Sequence, residues 1–267
     1  MFYENTPIPI KMIVTDLDGT LLRDDTSISD YTKNVLGECR RVGIKLAFAT
    51  GRSTAGKVAP AEMFDGRATS NGALAKAGEI LIYDKRIPYQ TSRSVLTACN
   101  ERGIKIAFNA GGTHYSNFVM SDIWPWITKS NFHIIDFARH ELDAEKLFIP
   151  DCSAENKGFI DQLIPNELYT VVTSDSTGDF LQIMHKEATK GKAVLALARH
   201  WGIMPSEIVT FGNDLNDIDM LASVGFGVAV ENAFDEVKAA AKYTCGSNEE
   251  DGPAKWLLEN VLKQCKE

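Results

Sequence analysis

Met12-Ile13-Val14-Thr15-Asp16-Leu17-Asp18-Gly19-Thr20 is a short apolar run that stops abruptly at two carboxylates and a glycine. In an extended chain, residues two apart point the same way. Asp16 and Asp18 would therefore project together, and like charges held close repel unless a cation lies between them. Such a pair suits a place where a metal binds, or where one carboxylate attacks and the other moves protons. The plainer alternative is a strand ending in a solvated Asp-Gly turn.

On either side of this run the chain alternates strand and helix. Lys11 to Thr15 reads as a buried strand, and Ser29 as the N-cap of a helix from Tyr31 to Arg41 that stops near Gly43. Ile44 to Ala49 is the next strand, followed by Thr50-Gly51-Arg52. The distance from Asp16 to Thr50 suits one βαβ crossover, which makes the strands parallel and puts their carboxyl ends on one edge. The end of the chain repeats this grammar. Lys192 to His200 is helical, Glu207 to Phe211 a strand leading into Gly212-Asn213-Asp214, and Asn216 to Ala222 a helix start. Gly227 to Val230 is a strand, Ala233 to Ala241 a helix, and Gly252-Pro253 opens the last helix.

The middle breaks the pattern, with β-like segments at Ile104 to Phe108, His114 to Phe118, Leu168 to Thr173 and Phe180 to Met184. Gly111-Gly112 reads as a hairpin turn between the first two. The expected fold class is α/β: a Rossmann-like, doubly wound parallel sheet core with an inserted α+β cap domain. The expected division is 1–85 and 186–267 for the core and 86–185 for the insertion, with hinges near Asp84 to Tyr89 and Met184 to Ala188.

The chain has 267 residues, 44% hydrophobic and 24% charged, which allows one large or two moderate cores. A net charge of -8 without any Lys/Arg-rich run argues against nucleic acid or anionic membrane as a partner. No apolar run reaches membrane-spanning length, and Met1 to Pro9 lacks the regions of a signal peptide. Cys39, Cys99, Cys152, Cys245 and Cys265 are scattered without C-x-x-C and read as reduced thiols of a cytoplasmic protein.

Three strands thus end in polar residues: Asp16 and Asp18, Thr50 to Arg52, and Asn213 to Asp217. Open α/β sheets bind ligands outside those ends. Taken singly, Thr-Gly-Arg could be a strand–turn–helix junction, Lys190-Gly191 an exposed turn, and the Asn/Asp run an N-cap cluster. An EF-hand is excluded because Gly19 follows Asp18 at once, and neither a P-loop nor a G-x-G-x-x-G occurs.

Asp16-Leu17-Asp18-Gly19-Thr20-Leu21-Leu22 resembles the first motif of the haloacid dehalogenase superfamily. Thr50-Gly51-Arg52 resembles the second motif of its Cof-type, subclass IIB sugar-phosphatase branch, and Ser70-Asn71-Gly72-Ala73 that branch's NGA segment. Lys190-Gly191 is similar to the third motif and Phe211-Gly212-Asn213-Asp214-Leu215-Asn216-Asp217 to the fourth. Val228-Ala229-Val230-Glu231-Asn232-Ala233 and Glu250-Asp251-Gly252 fit as well, and the insertion lies where a C2-type cap would.

The resemblance implies a Mg²⁺-dependent phosphatase of small phosphorylated metabolites, expectedly sugar phosphates, acting through an aspartyl-phosphate. Asp16 would be nucleophile and metal ligand. Asp18 would be general acid and base, and metal ligand through its backbone carbonyl. Lys190 would offset negative charge. Thr50, Gly51 and Asn71 would hold the phosphate; Arg52 would join them or serve as a helix-start contact. Asn216, Asp217 and Asp214 would support the site, with Asp217 orienting Lys190 or a metal-bound water. The usual fourth motif reads G-D-x-x-N-D, and Asn213 stands here in place of its first Asp. Either Asn213 ligates the metal or Asp214 takes over; the spacing of Asn216-Asp217 from Gly212 favours Asn213. The implied cofactor is Mg²⁺, and the implied partner a small phosphorylated metabolite, with neither nucleic acid nor membrane; a homodimer is allowed. A sugar-phosphate phosphomutase and a non-catalytic phosphoryl-binding regulator remain as alternatives. In the cap, His114 and Tyr115 are a plain hairpin or a substrate contact, and Trp124-Pro125-Trp126 is better read as packing than as a platform.

Overall fold

A computed structural model describes residues 10–56, 58–128 and 130–263; the expectations for Met1 to Pro9 and for Cys265 lie outside them. In chain order, β1 (Met12–Thr15) is followed by α1 (Asp30–Arg41), β2 (Lys45–Ala49), β3 (Gly66–Thr69), β4 (Leu74–Ala77) and β5 (Ile80–Asp84). Then come α2 (Tyr89–Glu101), β6 (Ala107–Ala110), β7 (Thr113–Ser116), β8 (Phe132–Ile134), β9 (Lys146–Ile149), α3 (Ala154–Leu163), β10 (Leu168–Asp175) and β11 (Gly178–His185). The chain closes with α4 (Lys190–His200), β12 (Ile208–Gly212), α5 (Ile218–Ala222), β13 (Phe226–Val230), α6 (Asp235–Ala240), β14 (Tyr243–Cys245) and α7 (Gly252–Leu257). Two units result: Met1–Tyr83 with Thr189–Glu267, and Asp84–Ala188.

The first unit holds an eight-stranded sheet in the order β14-β13-β12-β1-β2-β3-β4-β5. Every pair from β14 to β3 is parallel, and β4 joins β3 antiparallel. The strands β1, β2, β12 and β13 are runs such as MIVT and IVTFG, buried almost throughout, as a parallel sheet covered on both faces requires. Successive side chains feed opposite cores. Ile13, Leu46, Phe48, Val209 and Phe211 pack with Val35 and Leu36 of α1 and Leu257 of α7. Met12, Val14, Ala47 and Ile208 pack with Val194 and Leu197 of α4 and Met220 of α5. From β1 the chain leaves through α1 to β2 on one side and returns to β12 on the other. The carboxyl ends of β1 and β12 therefore flank the switch point at which such sheets bind ligands.

The second unit is a six-stranded sheet, β10-β11-β9-β6-β7-β8, antiparallel except between β7 and β8. Gly111 and Gly112, both left-handed, turn β6 into β7. The strand expected at Ile104 begins only at Ala107, because Ile104 N–H is spent on the Cys99 carbonyl as α2 ends over left-handed Gly103. β7 likewise stops at Ser116, whose hydroxyl donates to the Phe118 carbonyl. Trp124 is buried against Phe118, Phe148 and Phe180, whereas Trp126 is exposed. Tyr115 stacks on core Phe108 at 5.0 Å. His114 faces Phe148, and burial, then Lys146, pushes its pKa down to about 4.

The boundaries fall at 83/84 and 188/189, displaced from the expected 85/86 and 185/186. Arg86 binds Asp84 at 2.6 Å and Asp143 at 3.9 Å, which ties Asp84 to the inserted unit. A turn closed by Ala188 N–H on the His185 carbonyl does the same at the other end.

Candidate active site

Asp16 follows the last residue of β1, and its N–H donates to the Phe211 carbonyl of β12 at 2.9 Å. Its carboxylate is buried, and Lys190 Nζ donates to Oδ1 at 2.7 Å. The same ammonium donates to Asp217 Oδ1 at 2.6 Å. Lys190 was expected just ahead of a helix; it is instead the first residue of α4, behind the N-cap Thr189. Asp217 Oδ2 accepts from Asn213 N and Asp214 N at 3.0 Å each, so both its oxygens are engaged. Burial pushes the Asp16 carboxyl up to about 7, against the pull of Lys190. For Lys190, burial acts downward, but Asp16 and Asp217 outweigh it and hold the ammonium charged.

The other oxygen of Asp16, Oδ2, faces the amide of Asn213. The near end of that amide is 3.2 Å from Asp16 Oδ2, 3.0 Å from the Asp18 carbonyl and 2.9 Å from Thr20 Oγ1. Asp214 is exposed and turned away, capping a short 3₁₀ turn through Leu215 N–H at 2.6 Å. Of the two candidates, the structure brings Asn213 to Asp16. With the amide oxygen inward, Asp16 Oδ2, the Asp18 carbonyl and Asn213 Oδ1 form a set of hard oxygen donors, which fits Mg²⁺. Among the described residues no three His, Cys, Asp or Glu side chains gather as metal ligands; here a carbonyl and an amide complete the set.

Asp18 departs from the expected picture. Both its oxygens accept from Arg52, Oδ2 from Nε at 2.8 Å and Oδ1 from Nη2 at 2.6 Å. Arg52 thus forks a carboxylate, and no helix begins at Thr50-Gly51-Arg52 for it to cap; the next turn of helix is a 3₁₀ segment at Ala61–Met63. Thr50 is buried, and its hydroxyl accepts Arg52 N–H at 3.1 Å.

Asn71 is held beside this loop. Its N–H donates to the Thr50 carbonyl at 3.0 Å, and its Oδ1 accepts from Asn216 Nδ2 at 3.1 Å. Ser70, Asn71 and Gly72 are all left-handed, with φ of 52°, 56° and 89°. A Cβ on Gly72 would lie 2.1 Å from the Thr189 carbonyl, so glycine alone lets this turn abut the start of α4 and seat Lys190. Gly51 plays a smaller part, its Cα facing Asn71 Oδ1.

Three residues were missed by the sequence reading. Thr20, fully buried, carries the hydroxyl beside Asn213. Asn232 donates to the Gly19 carbonyl at 2.8 Å, and Asn248 to the Leu22 carbonyl at 3.0 Å. Thr20 and Asn232 stand inside quoted motifs; their roles appear only when the chain ends of the sheet are assembled.

A family model described as haloacid dehalogenase-like hydrolase matches residues 13–257. YxeH of Bacillus subtilis (strain 168) is 29% identical over 269 residues, covering 94% of this chain and 98% of that one. The 5-amino-6-(5-phospho-D-ribitylamino)uracil phosphatase YcsE of the same organism is 25% identical, covering 98% and 100%. The solved structure of the subclass IIB sugar phosphatase BT4131 superposes with a TM-score of 0.74 at 26% identity, covering 93% of this chain and 98% of that one.

Proposed function

Because the chain belongs to the haloacid dehalogenase-like hydrolase family, we propose that it is a Mg²⁺-dependent phosphatase of small phosphorylated metabolites, sugar phosphates among them. The observation that carries this reading is the buried Asp16 carboxylate, one oxygen bonded to Lys190 and the other facing the Asn213 amide.

The Asp16 carboxylate attacks phosphorus, and the bond from phosphorus to the ester oxygen breaks. Asp18 gives a proton to that leaving oxygen. Water then attacks phosphorus, Asp18 takes its proton, and the bond to Asp16 breaks to release phosphate. Lys190 holds Asp16 in place and offsets the charge that gathers on the phosphoryl group. Thr50, Gly51 and Asn71 receive its oxygens. Asp16, the Asp18 carbonyl and Asn213 would hold Mg²⁺, which when bound screens the carboxylate from the phosphate anion. An arriving phosphate gives Arg52 a second anion, and so frees Asp18 for proton transfer. The inserted unit is assigned the selection of the substrate. No helix among the described residues is long and apolar enough to cross a membrane. Cys39, Cys99, Cys152 and Cys245 are not joined in disulfides, which supports a cytoplasmic site of action.

The test is phosphate release from a panel of phosphorylated metabolites, with Mg²⁺ or chelator, for wild type and Asp16→Asn. Metal-dependent release that disappears in Asp16→Asn is the expected result. Isomerised sugar phosphate without free phosphate, or no turnover by folded wild type, overturns the phosphatase reading.

A further inference from the structure

Asn213 and Thr20 form a pair whose chemistry works in two directions. The end of the Asn213 amide that faces Asp16 has three neighbours within 3.2 Å: Asp16 Oδ2, the Asp18 carbonyl and Thr20 Oγ1. The oxygen and NH₂ ends of an amide have nearly the same shape. With oxygen inward, three acceptors crowd one point, and a cation reconciles them. With NH₂ inward, its two N–H groups are shared among the same oxygens, and Asp16 and Asp18 gain donors from the protein itself. Thr20 suits both arrangements. Its hydroxyl donates to Oδ1 at 2.9 Å in the first and accepts from Nδ2 in the second. A carboxylate at position 213 has two acceptor ends and offers no such alternative. The charges point the same way: among the described residues the ion pairs of Asp16, Asp18 and Asp217 are with Lys190 and Arg52, three carboxylates to two cations, and a carboxylate at position 213 would add to the acidic side.

We propose that Asn213, partnered by Thr20, is a reversible amide that closes the cation site with its own N–H groups in metal-free protein and turns its oxygen inward when Mg²⁺ binds. The protein then keeps its fold without metal and holds Mg²⁺ weakly. This rests on the reading that a divalent cation sits beside Asp16, and the experiment separates the two. Calorimetric titration with Mg²⁺ alone, and melting in chelator, are compared for wild type and Asn213→Asp. The variant is expected to melt lower in chelator and to bind Mg²⁺ at least about tenfold more tightly, since ligand charge sets affinity at such sites. Equal melting and equal affinity in the two proteins overturn the amide role and leave the cation reading intact. No Mg²⁺ binding to either protein overturns both. Should Asn213→Asp fail to fold, the wild type decides by NMR. Its Asn213 side-chain NH₂ protons should exchange slowly in chelator and faster with Mg²⁺; exchange unaffected by Mg²⁺ overturns the proposal.

Discussion

Replacing Lys190 with Met should unsettle the fold before any question of chemistry arises. The Lys190 side chain is 1% exposed and stands between two carboxylates that are themselves 6% and 0% exposed. Its Nζ lies within 2.7 Å of an oxygen on each. Methionine keeps the length and apolar stem but removes the charge, leaving Asp16 and Asp217 buried and facing each other. Stranding one partner of a buried ion pair costs about 3–5 kcal/mol, so Lys190→Met should lose about that much. Asp217→Asn in the Lys190→Met background removes one stranded charge while its amide oxygen still accepts from Asn213 and Asp214 N–H. The double variant should therefore be more stable than the sum of the single losses by about 2 kcal/mol. The assay is urea unfolding followed by the fluorescence of Trp201 and Trp256, both in the first unit, with Trp124 and Trp126 replaced by Phe so that the inserted unit is silent. A Lys190→Met loss below about 1 kcal/mol, or strict additivity with Asp217→Asn, would refute the claim that the ion triad is a desolvated, coupled unit.

Arg52→Lys keeps the charge but not the fork on Asp18. Because the pair is 36% and 52% exposed, its loss should change stability by less than about 1 kcal/mol while lowering kcat, as melting curves and initial rates will show. Gly72→Ala forces a Cβ onto the Thr189 carbonyl at φ 89°; a loss of about 2–4 kcal/mol, together with reduced activity, is expected from denaturation and rate measurements. Asp251 accepts from Ser29 Oγ at 2.6 Å, Thr32 Oγ1 at 3.0 Å and Arg23 at 2.9 Å. Although burial acts upward, these donors hold its carboxyl below the usual range. A depressed folded-state pKa gives stability that is complete above the unfolded value near 3.9 and is lost as pH falls through the folded one. Wild type should therefore lose stability relative to Asp251→Asn as pH drops below about 4, whereas at neutral pH Asp251→Ala should be worse than Asp251→Asn, since Asn tolerates φ 57°.

Much of the core was legible because its signals are local. Apolar runs of four or five residues make buried parallel strands, and one strand ends in Asp16 and Asp18 whatever surrounds it. Ser29 caps α1 through three residues of sequence. The strands β3 and β4 escaped the reading because Gly66–Thr69 and Leu74–Ala77 are four residues each, half-buried and without a run of large apolar side chains, and are defined by their partners rather than by their own pattern. In the inserted unit Ile104 was assigned to a strand on composition, while a left-handed Gly103 bound it to the end of α2.

The residues that converge on Asp16 were identifiable by type, since the chemistry of paired carboxylates, a lysine and an amide is written in the side chains. Their pairings were not. Whether Arg52 grips Asp18 or a helix end, whether Asn213 or Asp214 turns toward Asp16, and that Thr20 stands beside that amide depend on how β1, β2 and β12 bring three distant chain segments to one edge. Hydrogen bonds at 2.6–3.2 Å are set by sub-ångström placement of backbones far apart in sequence. Local propensity fixes which groups are available, and only tertiary packing fixes which of them meet.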